Sequence, residues 1–89
     1  MQIEFDPRKD AANIAKHGIS LARAAEMEIV TFNRDDRVDY GEARYRAWGL
    51  IEDEYFCLAF VVRNDRLRAI SLRRAHKKEF FANVPPQDY

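Results

Sequence analysis

The chain has 89 residues, 47% of them hydrophobic, which suits one domain with a modest core and is too apolar for a disordered segment. No apolar run reaches the roughly 20 residues a bilayer requires; Met1 to Asp6 lacks a secretory pattern, and the single cysteine, Cys57, excludes an internal disulfide, so one cytoplasmic domain over 1–89, away from membranes, is expected. The formal charge is zero, yet residues 26–54 carry a net −5 and residues 63–78 a net +6, so a polyanion can still meet a strong local field.

Ile3 to Phe5 reads as a short strand. Asp6-Pro7 opens a helix, since Asp accepts from free amides and proline suits the first helical position. That helix runs to about His17 with Ala11, Ala12, Ile14 and Ala15 as its apolar face, and Gly18 closes it. Ser20 caps a second short helix, Leu21 to about Met27, and Glu28 to Phe32 has the β-branched and aromatic content of a strand. Asn33 to Gly41 is a charged surface loop. Three strands follow, Ala43–Ile51, Tyr55–Arg63 and Arg66–Arg74, with connections short enough for hairpins and therefore an antiparallel meander. A last helix runs from Ala75 to about Ala82, before Pro85-Pro86.

The fold class is α+β: an N-terminal strand and two helices, an antiparallel sheet, and a C-terminal helix. The helices are expected together on one face of the sheet, leaving the other free for a ligand. Strict alternation puts Arg44, Arg46, Trp48 and Leu50 on one face of their strand. It likewise puts Leu67, Ala69, Ser71 and Arg73 on one face, with Arg66, Arg68, Ile70, Leu72 and Arg74 opposite.

The glycines Gly18, Gly41 and Gly49 are isolated, so there is no phosphate-binding glycine loop. His17, Cys57 and His76 lack metal-ligand spacing, and nothing calls for a cofactor or a metal. Cutting RNA through its own 2′-hydroxyl needs less: a proton acceptor, which histidine can supply, and fixed positive charge beside the phosphorus, which arginine supplies bidentately. Both residue types are present.

Phe5-Asp6-Pro7, Asn13, Lys16-His17-Gly18, Ile19 to Ala25, Glu42, Arg44, Gly49, Arg63, Ile70-Ser71-Leu72-Arg73, Ala75 and Glu79 form an ordered set across nearly the whole chain. In that order and spacing they resemble the BrnT family of ribonuclease toxins, with a fold similar to RelE toxins. The resemblance implies cleavage of RNA, inhibition of growth, and a BrnA-type antitoxin that masks the toxin and binds the operon's DNA, in a 2:2 assembly. Ala43, Leu72 and His76 depart from the family pattern, which bears on the shape of the pocket.

The resulting candidates are Arg73, Arg44, His17, Lys16 and Glu79. Arg73 and Arg44 would stabilise phosphate charge, Lys16 would position the backbone, and His17 would transfer protons. Each has another reading. His17 can stabilise helix carbonyls, Lys16 can be solvated, and Arg44 can pair with Asp39 or Glu42. Glu79 is either a base or the ion-pair partner that holds Arg73. Trp48 is a base-stacking platform or a core residue, and His76 a helix-start residue or a second proton carrier. The competing function is a non-catalytic RNA- or protein-binding module on the same basic strand; direct DNA binding lacks a helix with a basic reading face.

Overall fold

A computed structural model describes residues 2–86. Five strands form one sheet in the order β1-β5-β4-β3-β2: β1 (Ile3–Glu4), β2 (Glu28–Arg34), β3 (Tyr45–Ile51), β4 (Glu54–Arg63) and β5 (Arg66–Arg74). Neighbours from β2 to β5 are antiparallel, whereas β1 joins β5 in parallel. Two helices, α1 (Pro7–His17) and α2 (Lys77–Asn83), and a 3-10 turn over Leu21–Glu26 complete the α+β fold.

The meander is made by two tight turns. Glu52 and Asp53, then Asn64 and Asp65, all take positive φ, the backbone that matches the natural strand twist in a two-residue hairpin. The second expected helix is the 3-10 turn, capped by Ser20, whose hydroxyl accepts from Ala22 N–H. Its Leu21 and Ala24 pack with Ala47, Ile51, Phe56, Leu58, Phe60, Leu67, Ala69 and Leu72 to form the main core on one face.

Three expectations are corrected. The apolar face assigned to α1 is not its buried face: Ala11, Ala12, Ile14 and Ala15 are exposed, and Asn13 is the helix's buried residue. The reason is placement. Beyond the two residues of β1, α1 lies along the edge of β5, and a strand edge requires hydrogen bonds before it requires apolar cover. Asn13 supplies them, donating from Nδ2 to Leu72 O (2.9 Å) and Ile19 O (2.8 Å) and accepting from Leu72 N–H at Oδ1 (3.0 Å).

The helices also do not share one face. α2 covers part of the opposite face, where Phe80 and Val84 pack with Trp48 and Cys57, beside Tyr55. Those apolar side chains need cover of their own, so only the remainder of that face is open to a ligand.

The third correction concerns β5. Ala59 pairs with Ser71 but Phe60 pairs with Ala69, so Ile70 is an extra residue on β5. This bulge reverses the alternation after Ala69. Leu67, Ala69 and Leu72 therefore face the main core, and Arg66, Arg68, Ser71 and Arg73 share the other face. Arg66 is not opposite Arg73.

Candidate active site

On the open face the strand register arranges side chains in rows. Arg73, Cys57 and Trp48 form one row, lying beside the apolar cover of α2. Ser71, Ala59 and Arg46 form the next, and Arg68 and Val61 the one after. The middle row is short at Ser71 and Ala59, and on β5 the rows beside it carry Arg73 on one side and Arg68 on the other. The result is a trough floored by small side chains, with Arg73 and Arg68 on its sides and Arg46 at one end.

Arg73 is fixed by two elements. Its guanidinium donates to both oxygens of Glu79, Nη1 at 2.8 Å and Nη2 at 3.1 Å, and Nη1 also donates to Arg74 O at 3.3 Å. Glu79 stands in the first turn of α2, next to buried Phe80. The hydrogen bond with Glu79 raises the Arg73 pKa, and the same bond holds the Glu79 carboxyl below its ordinary range. Glu79 is thus an ionised partner of Arg73, the opposite of a carboxyl tuned upwards to take protons near neutrality. Three of the five guanidinium N–H groups are engaged, and two remain for a ligand.

His17 and Lys16 are brought to this corner by the Asn13 anchor. They line a groove with Lys9, Ala12, Ile70 and Ser71. Burial, the Lys16 charge and the Arg73 charge all depress the His17 pKa, in that order of size. A histidine serving the helix dipole as a cation would gain from being charged; here the surroundings favour the neutral ring, which can accept a proton.

Arg44 is apart from this group. It precedes β3, on the side of Arg68 and away from Arg73, with its guanidinium 3.8 Å from the centre of the Tyr40 ring. The alternative of a pairing with Asp39 or Glu42 is not formed: Asp39 accepts from Gly41 N–H, and Glu42 takes Arg63 at 2.6 Å. The loop bearing Tyr40 is organised by Asp35, whose buried carboxylate accepts from Arg37 Nε and Nη2 (2.8 and 2.9 Å) and from Tyr40 Oη (3.3 Å). These bonds hold Asp35 far below the ordinary carboxylate range.

Two residues that the sequence reading did not select belong here. Arg46 stands at the end of the trough with its guanidinium 5.4 Å from the Trp48 ring, its Nε buried and without an acceptor among the described residues. Its alternation with Arg44 and Trp48 was the available signal. Arg37 reaches in from the loop closely enough for its charge to act on Arg73 and Cys57, and no periodicity marked it. Trp48 is fully buried, so it is core. Cys57 is buried too, and burial pushes its thiol pKa up, away from nucleophilic chemistry. His76 precedes α2 as its cap residue without a capping side-chain bond.

Positioned arginines around a small floor, with a neutral imidazole at the corner, suit binding and cleavage of a phosphodiester. No curated protein matches the chain closely enough to count as a relative. A family model described as "Ribonuclease toxin, BrnT, of type II toxin-antitoxin system" matches residues 5–79, a span that includes every charged side chain of the candidate site. The chain belongs to the BrnT family of ribonuclease toxins of type II toxin–antitoxin systems.

Proposed function

We propose that the protein cleaves single-stranded RNA by metal-independent attack of the substrate's own 2′-hydroxyl, with the scissile phosphate over Ser71 and Ala59, and thereby inhibits translation and growth. The observation that carries this reading is the trough itself: Arg73, Arg46 and Arg68 surround a floor of small side chains beside a histidine kept neutral. His17 takes the 2′-hydroxyl proton and the oxygen attacks phosphorus. The bond to the 5′-oxygen breaks, and that oxygen takes up a proton from solvent, leaving a 2′,3′-cyclic phosphate and a 5′-hydroxyl. Arg73 and Arg46 stabilise the charge that develops on the phosphorane oxygens. Glu79 acts as a positioning residue for Arg73, and Lys16 holds the backbone. Arg44, stacked on Tyr40, contacts the substrate farther along.

The decisive experiment measures cleavage of RNA in chelator by folded Arg73→Ala protein. Loss of one positioned charge-stabilising donor lowers turnover about 10²–10³-fold, and RNA binding should fall much less. Arg74→Ala is the control, because Arg74 shares the face of Leu72 and pairs with Glu54 instead. Wild-type cleavage by Arg73→Ala refutes the assignment, and loss of wild-type cleavage in chelator refutes the metal-independent chemistry.

The partner in this reading is a BrnA-type antitoxin, as the resemblance implies, with operator DNA bound through the antitoxin in a 2:2 assembly and a RelE-like toxin core. Such a partner covers the Arg63–Lys78 surface with acidic residues. Expression of the chain alone should slow growth, and co-expression of the antitoxin should restore it.

A further inference from the structure

The groove between α1 and β5 extends away from the trough. Lys9, Ala12 and Lys16 stand on one face of α1 by their spacing of three and four residues, and with His17, Ile70 and Ser71 they line a volume of about 180 Å³. Asn13, though part of this wall, spends its side-chain amide on Leu72 and Ile19. No carboxylate lines the groove. Neither Lys9 nor Lys16 has an ion-pair partner among the described residues, whereas Arg63, Arg73 and Arg74 each have one. Ser71 belongs both to this groove and to the floor of the trough, so the two are continuous.

We propose that this groove is a second phosphate subsite, which carries the backbone of single-stranded RNA away from the scissile phosphate with Lys9 as its outer contact. This rests on the ribonuclease reading and adds a length requirement to it. Lys9 and Lys16 are seven residues apart, about 10 Å along the helix, the length occupied by about three stacked nucleotides. An acidic protein segment offers similar charge, but continuity with the trough favours the polymer whose other phosphates lie there.

The test compares Lys9→Ala, Arg8→Ala and wild-type protein binding a trinucleotide and a dodecanucleotide, both 2′-O-methylated to prevent cleavage, over a salt series. Arg8 is the neighbouring cation outside the groove. Lys9→Ala should weaken dodecamer binding several-fold and reduce its salt slope by about 0.7, the value for one phosphate on a single strand. Trinucleotide binding should be unchanged, and Arg8→Ala should resemble wild type. A DNA dodecamer should show the same Lys9 effect, because the contact is to phosphate. If wild-type protein binds and cleaves RNA but Lys9→Ala leaves dodecamer binding unchanged, the subsite is refuted and the ribonuclease reading stands. Wild-type protein that neither binds nor cleaves RNA overturns both. Equal weakening by Lys9→Ala and Arg8→Ala reduces the effect to general charge and also refutes the subsite.

Discussion

Asn13→Ala should be among the most damaging single substitutions in this chain, although it removes only a small polar group. The Asn13 side chain makes three hydrogen bonds of 2.8 to 3.0 Å, two of them to the backbone of Leu72, and the residue is 5% exposed. A net contribution of about 1 kcal/mol for each bond gives about 3 kcal/mol. The total stability of a chain this long is about 4–13 kcal/mol. At about 4–8 °C per kcal/mol, the melting temperature should fall by roughly 12–24 °C. Urea unfolding can be followed by the fluorescence of Trp48, the chain's one tryptophan, which is fully buried. Asn13→Asp should do comparable damage, because it sets a carboxylate against two carbonyl oxygens. Cleavage measured below the transition should fall as well, since the anchor positions Lys16 and His17 against Ser71. A loss under about 1 kcal/mol for Asn13→Ala would refute the view that this side chain replaces a missing strand.

Three further outcomes are expected. Gly49→Ala should destabilise the protein by about 1–3 kcal/mol in the same unfolding measurement, because the added Cβ would lie 2.2 Å from the backbone oxygen of Glu28 on β2. His17 titrates below its ordinary 6.5, so its contribution to stability is fully present above pH 6.5 and is lost as pH falls toward the folded value. Activity that needs the neutral ring should be lost in the same direction. Lys16→Met removes the second cause of the shift, so the ring titration seen by NMR and the acid limb of cleavage should both move to higher pH; an unmoved limb would remove His17 from the proton transfer.

Much of the fold was legible because it is written locally. β5 has the expected bounds Arg66–Arg74, and the turns at Glu52-Asp53 and Asn64-Asp65 follow from short polar connections. Gly18 takes the left-handed conformation expected of a helix terminator. What was not legible depends on partners distant in sequence. The burial of Asn13 requires a free edge at Leu72, 59 residues away, and an alanine-rich face gave no hint of it. The bulge at Ile70 arises from how β5 meets β4, and a pattern of alternating residues cannot announce its own interruption. The candidate site suffered accordingly. Arg73, Glu79, His17 and Lys16 come together, whereas Arg44, chosen to share phosphate stabilisation with Arg73, stands apart on Tyr40; Arg46, on the same strand face, and Arg37, in a loop whose path is set by Asp35, were not among the candidates.

The attachment of both N-terminal elements to β5 has a consequence for synthesis. β1 pairs with Leu67 and Arg68, and α1 is pinned to Leu72, so the first 17 residues remain without their docking strand until β5 has left the ribosome. The β3–β4–β5 hairpins can form early, because their contacts are local. The imidazole and lysine of α1 meet the arginine of β5 only when nearly the whole chain has emerged. A nascent or truncated product ending before Leu72 therefore presents the basic residues of α1 without the strand that brings the candidate site together.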